Sequence, residues 1–274
     1  MLDPVTRRIA FGNGAPGRLA VMYHAIDSAK ARPKWRWSVS MSGFRQQMDY
    51  LEEYGWLTTR IEDLSVVTAS PSERRIFITF DDGYADTIAA VEELVTRGMT
   101  ATWFVVSDAI GQTAPWGRNA TERRKLLSAT HLREMAEAGM EIGSHTRTHA
   151  DLSTLKDSEL DQEVRGSKEL LEDLLGKPVQ SFAYPFGRYG RRERDKVRSA
   201  GYQSACSCRA GWIRPDDDPL QIRRLAIYNT DGINQFARKV AFGDSEVGWS
   251  KVGRYVWTRA RARWNRLWQL GRGH

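Results

Sequence analysis

The stretch "RIFITFDDGY", residues 75–84, runs an apolar, partly β-branched segment straight into two adjacent carboxylates and a glycine. Such a run, bounded by a turn signal, reads as a buried strand. Asp-Gly is ordinary turn chemistry. Yet Asp81 and Asp82 repel one another, and each resists desolvation, so a partner is expected nearby. A second stretch offers one. "GSHTRTHADLS", residues 143–153, again follows a short apolar segment, and it places His145 and His149 four positions apart in a chain with only 5 histidines. One carboxylate and two imidazoles make a three-ligand metal set with an open position, as catalytic zinc-type centres have. The other carboxylate is then free to act as a base.

Working outward, the same strand pattern recurs in "RLAVMY" (18–23), "TATWFVV" (100–106), "MEIGS" (140–144), "VQSFAYP" (179–185), "YQSACS" (202–207) and "RRLAIY" (223–228). Between these lie segments of helical spacing such as "YADTIAAVEELVTRG" and "DSELDQEVRGSKELLEDLLG", each ending in a capping glycine. Strand-then-helix order predicts a parallel α/β sheet, and about seven units predict a closed barrel. In such barrels chemistry gathers at the C-terminal strand ends, where Asp81, Asp82, His145, His149 and Pro185 all fall. The expected organisation is an N-terminal arm over 1–17, a barrel domain over 18–245, and a basic helix over 246–274.

Composition bounds the alternatives. The 274 residues, 41% hydrophobic and 27% charged, suit a globular domain, and the formal net charge of +7 suggests an anionic partner. No apolar run approaches the roughly 20 residues that span a bilayer. The first residues, "MLDPVTRRIAFGNGAPGRLA", lack an apolar leader core. The expectation is therefore a cytoplasmic protein, or one whose leader precedes the residues given. Cys206 and Cys208 sit too close along one strand for an ordinary disulfide and too few for a metal site. No nucleic-acid role is expected.

Taken together, "TFDDGY", "SHTRTH" and "FAYPFG", in this order, resemble the first three motifs of the polysaccharide deacetylase family, the carbohydrate esterase family 4 or NodB-homology group. The resemblance spans about residues 18–243. It implies a distorted, NodB-like (β/α)7 barrel in which Asp81 is the catalytic base and Asp82, His145 and His149 hold a divalent metal. Zinc is the first expectation, with cobalt, nickel or manganese also suited to mixed nitrogen and oxygen donors. It also implies that the backbone N–H of Phe186 stabilises an oxyanion. The implied substrate is an acetylated glycan or a lipid-linked glycan precursor, from which N-acetyl or O-acetyl groups of N-acetylhexosamine units are hydrolysed. A metal would polarise the carbonyl and lower the pKa of bound water from about 16 toward 7. A small non-sugar amide as substrate, or a catalytically inactive carbohydrate-binding protein, are the alternatives.

Two positions depart from the family pattern. Ala183 stands where the third motif usually carries an arginine that orients the base, so a substitute is expected from Arg224, with Arg223 second. The late histidine that usually supplies the proton donor is replaced by Ile227. His24 in "VMYHAI" takes that role by resemblance to the branch that deacetylates poly-N-acetylglucosamine, and first and last barrel strands are neighbours. His131 and His274 lack such a setting.

Residues 107–128 read as an insertion at a strand end, in which Trp116 is either a sugar-stacking platform or part of a plain exposed loop. Trp37 and Trp212 share that ambiguity. In the tail, Val256, Ala260, Trp264, Leu267 and Trp268 form one helical stripe with Trp257 at its margin, among many arginines. The tail is either a helix packed on the barrel or an interfacial helix on an anionic membrane, at its inner face.

Overall fold

The computed structural model describes residues 1–12, 17–29, 32–65, 73–119 and 121–270, without the side chains of 260 and 262–270. His274 lies outside the described residues. Strand β1 spans Gly17–Tyr23, β2 Ala25–Asp27, β3 Ser38–Ser40, β4 Trp56–Thr58, β5 Arg74–Phe80, β6 Thr102–Val105, β7 Glu141–Ser144, β8 Ser181–Ala183, β9 Ser204–Cys206 and β10 Leu225–Ala226. The helices are α1 Pro4–Gly12, α2 Met41–Glu53, α3 Ile88–Thr96, α4 Ala129–Glu137, α5 Asp157–Leu175, α6 Arg191–Ser199, α7 Ile233–Phe242 and α8 Trp249–Leu270.

The main sheet is parallel, in the order β10-β1-β5-β6-β7-β8-β9, with β4 added on β5. Cys206 of β9 forms an isolated parallel bridge with Ile222, three residues before β10, so the two ends of the sheet approach through the segment leading into β10 and the barrel is distorted there. The last residues of β1 and β5 are wholly buried, as expected of strands covered on both faces. Each expected barrel strand is present. The short strands β2, β3 and β4 carry no readable alternation over three residues each.

Local chemistry sets the helix ends. Ser40 accepts the Gly43 N–H at the start of α2. Ser128 and His131 cap α4 reciprocally: the Ser128 hydroxyl accepts the His131 N–H, and His131 Nδ1 accepts the Ser128 N–H. His131 is thus a helix cap. At the end of α7, Gly243 takes φ 59, and a Cβ there would lie 2.4 Å from Trp212. Trp212 is stacked on Trp56, away from any strand C-terminus that carries the site.

The N-terminal stretch is anchored. Asp3 caps α1 through the Thr6 N–H at 2.8 Å and pairs with Arg238 of α7 at 2.8 Å. Ile9 packs with Val247 and with Val252 of α8.

At the opposite end of the barrel from the site, Glu141 opens β7 and is buried. Its Oε2 accepts from Thr102 Oγ1 at 2.6 Å and Glu62 N at 3.0 Å, while Oε1 has no partner among the described residues. Burial pushes this carboxyl up to about 7 from an ordinary value of 4.5. The folded chain therefore holds a proton that the unfolded chain has lost. Its stabilising share is complete below pH 4.5 and disappears as pH rises through about 7. Glu141→Gln is expected to stabilise the protein at pH 8 by up to about 3 kcal/mol and to leave it nearly unchanged at pH 4.5, read by urea unfolding. A pH-independent difference would contradict this.

Candidate active site

β5 delivers Asp81 and Asp82. The Asp81 N–H continues the ladder to Tyr23 O at 3.0 Å, and then the chain steps into the left-handed region at Asp82 (φ 71) and Gly83 (φ 74). A Cβ at Gly83 would meet Val105 at 3.0 Å, so both φ and space require glycine there. The turn parts the two carboxylates, which acquire different partners.

Asp81 faces Arg224. The guanidinium Nη1 and Nη2 donate to the two carboxylate oxygens at 2.6 and 2.7 Å, a bidentate pair with Arg224 fully buried. Arg224 also donates to Thr79 Oγ1 and to Ser207 O, each at 3.0 Å. Burial opposes ionisation of Asp81, and the Arg224 charge and hydrogen bonds together with the nearby His145 and His24 outweigh it, so the carboxyl is held below its ordinary value. Arg223, the second candidate, points to Asp217 at 3.7 Å and does not reach this site. Ala183, where the family arginine is expected, is a buried small residue whose carbonyl serves a neighbour.

That neighbour is His145. Its Nδ1 lies 2.8 Å from Ala183 O, so it donates there and turns Nε2 toward Asp82 Oδ1 at 3.5 Å. His149 Nε2 lies 3.2 Å from the same oxygen. Donor atoms of Asp82, His145 and His149 all fall within 4.8 Å of one another. Two imidazole nitrogens and a carboxylate oxygen, converging in a buried spot with one ring already oriented, fit a divalent cation.

The loop carrying both histidines is strained, with Thr146 at φ 70 and His149 at φ 65. Glu163 of α5 holds it: Oε2 accepts the Arg147 and Thr148 N–H groups at 3.0 and 2.9 Å, and Oε1 accepts the Thr148 hydroxyl at 2.8 Å. Thr146 Oγ1 accepts the His149 N–H at 3.0 Å. Glu163 was not read from the sequence. The available signal was an acid inside the buried stripe Leu160, Val164, Ser167 and Leu171.

A cleft of about 760 Å³ opens over these groups, lined also by His24, Trp37, Trp116, Phe186 and Tyr228. His24 directly follows β1, and its Nδ1 has no hydrogen-bond partner among the described residues. Burial lowers its pKa, outweighing the raising effect of Asp82 and Asp81. Phe186, in the turn after Pro185, has φ 60, and its ring lies 4.8 Å from that of His149. Trp37 packs on His24 at 4.4 Å, and Trp116 stacks on His149 at 4.7 Å. Cys208 is a free thiol on the cleft wall, and Cys206 is buried.

The sequence profile described as polysaccharide deacetylase matches residues 68–205. A Bacillus subtilis (strain 168) protein, YxkH, named provisionally as a polysaccharide deacetylase, is 28% identical over 217 residues, 77% of this chain and 72% of its own. A crystal structure of a polysaccharide deacetylase from Bacillus cereus superposes with TM-score 0.68 at 28% identity, covering 82% of this chain and 69% of that one. The IcaB structure from Ammonifex degensii gives TM-score 0.70 over 82% of this chain and 97% of that one, and at 24% identity it shows the shared fold.

Arg224→Ala strands a buried carboxylate, which typically costs about 3–5 kcal/mol. Asp81→Asn combined with Arg224→Met removes both charges and is expected to cost much less than the sum of the single changes. Urea unfolding of the three variants checks this, and additivity would show that the pair is not coupled.

Proposed function

The chain belongs to the polysaccharide deacetylase family, and from that premise we propose that it is a metal-dependent hydrolase removing N-acetyl groups from N-acetylhexosamine units of a glycan. One observation carries the proposal: Asp81, clamped by Arg224, opens on the same cleft as the Asp82, His145 and His149 donors. An amide is a poor electrophile with a poor leaving group, so its hydrolysis needs a polarised carbonyl, an activated water and a proton for the amine.

Asp82, His145 and His149 would hold the metal, zinc being the donor set's first match ahead of cobalt, nickel or manganese. Lewis acidity toward the carbonyl and the water is what a divalent cation contributes when bound there. Asp81 takes the proton from the water. Its ion pair with Arg224 helps to keep it ionised and fixes both oxygens, which is what a base at this position requires. The Phe186 main chain donates to the developing oxyanion, so a phenylalanine side chain serves as well as a tyrosine would. His24 protonates the departing nitrogen. A lowered pKa makes its imidazolium a stronger acid than an ordinary one, at the expense of the charged fraction near neutrality.

The carrier of the glycan is the finer part of the reading. α8 begins against the body: Val252 is buried, and the Tyr255 ring meets Phe242 at 5.4 Å. Beyond that turn Trp257 is 61% exposed, with the Arg261 guanidinium 5.1 Å over its ring. Residues 249–270 contain no acid, and arginines stand at 254, 259, 261, 263 and 266. No helix of the described residues is long and apolar enough to cross a membrane. α8 is therefore proposed to lie on an anionic membrane surface, and Asp244 to Glu246 on the cleft rim immediately precede it. That placement would bring the cleft to a lipid-linked glycan.

Three experiments test these readings. Acetate release from N-acetylglucosamine oligomers should require a divalent metal and cease after chelation. His24→Ala should keep metal and fold yet lose about 10²- to 10⁴-fold on the amide, with a much smaller loss on an activated aryl acetate, whose leaving group needs no proton. Equal losses on both substrates would return His24 to a structural role. For α8, full-length protein should float with anionic vesicles at low salt and release at high salt. A double change Trp257→Ala, Arg261→Glu, which spares the side chains that pack Val252 and Tyr255 on the body, should not float. Equal flotation of the two proteins would refute the membrane contact.

A further inference from the structure

The two histidine donors are secured differently. His145 is oriented by a hydrogen bond from Nδ1 to Ala183 O, as metal-binding imidazoles usually are. His149 has no such bond: its Nδ1 is buried without a hydrogen-bond partner among the described residues, although its side chain is only 7% exposed. What touches its ring is aromatic. The Trp116 indole lies nearly parallel to it, at 4.7 Å and 28°, and Phe186 meets it edgewise at 4.8 Å and 67°.

Trp116 is itself fixed from two sides. Its Nε1–H donates to Tyr84 Oη at 3.1 Å, and Tyr84 stands two residues after Asp82. The insertion that carries Trp116 is pinned rather than loose. It pairs at Tyr84 with Leu126 and at Thr113 with Lys125, and Arg124 holds Asp86 at 2.6 Å. Gly117, next in the chain, is so enclosed that a Cβ would lie 2.7 Å from Arg123 N. One face of Trp116 is thus spent on a metal-site histidine and its polar edge on the tyrosine of the aspartate loop.

We propose that Trp116 is a positioning residue of the metal centre: it presses the His149 ring into its donor orientation, in place of the missing hydrogen bond, and braces the Asp82 loop through Tyr84. The proposal rests on the metal reading of Asp82, His145 and His149 and deepens it. It also assigns a task to the 107–128 insertion other than forming a sugar platform. His149 covers one indole face, so only the opposite face of this partly exposed ring could meet a sugar.

The test uses the full chain, with Zn²⁺ affinity measured by competition against a chromophoric chelator and donor geometry read from the visible absorption of the Co²⁺-loaded protein. Trp116→Ala should weaken Zn²⁺ binding about 10- to 100-fold, the usual consequence of losing an outer partner of a metal ligand, and should alter the Co²⁺ spectrum. Trp116→Phe, which keeps a ring against His149, should recover most of the affinity. Tyr84→Phe should fall between the two. The metal-free variants should match the metal-free wild type in melting temperature, which separates positioning from a folding defect. Wild-type Zn²⁺ affinity in Trp116→Ala, with a raised KM for the glycan alone, would overturn the proposal in favour of a sugar platform. A wild-type protein that binds no divalent cation would defeat the metal reading and this proposal together, whereas an unchanged variant defeats this one alone.

Discussion

A buried guanidinium clamped on a buried carboxylate is the contact on which the rest of this site depends. Asp81 and Asp82 are adjacent in a nearly dry floor, where two uncompensated negative charges could not both persist. Arg224 removes one of them from the contest and leaves Asp82 to the histidines. The same side chain bonds Thr79 on β5 and the Ser207 carbonyl just beyond β9, so it ties together strands from opposite sides of the seam. The side chain that pairs with Asp81 thus also links β5 to the segment after β9. Across the same gap the backbone contributes the Cys206–Ile222 bridge and a bond from the Arg224 N–H to Arg209 O at 2.8 Å, to which the Arg224 side chain adds.

Backbone strain is concentrated at the same place. The non-glycine residues with positive φ among those described are Asp82, Thr146, His149 and Phe186, all at C-terminal strand ends around the cleft. Each such residue costs on the order of 1 kcal/mol or more and persists only where its surroundings enforce it. The enforcement can be named for the histidine loop, where Glu163 and Thr146 supply the bonds.

How much of this was legible in the sequence follows from the range of each interaction. The barrel strands were legible because burial on both faces makes them continuous apolar runs. The donor set was legible because His145 and His149 share one short loop and Asp82 ends a strand. Arg224 could be named as a candidate but not distinguished from Arg223 by any local pattern, since its partner is 143 residues away. Asp3-Pro4 is a helix-start signal within the expected N-terminal arm, whereas the anchoring ion pair to Arg238 has no local signature. Trp116 stayed ambiguous because a stack on His149 is a purely tertiary fact.

The separation of Asp81 from Arg224 also bears on biosynthesis. A growing polypeptide displays the two aspartates and both histidines well before the ribosome has added the arginine, and β10 follows immediately after it. Until then Asp81 lacks the cation that pairs with it and β1 lacks its neighbour β10, so neither contact can help the earlier part of the chain to fold.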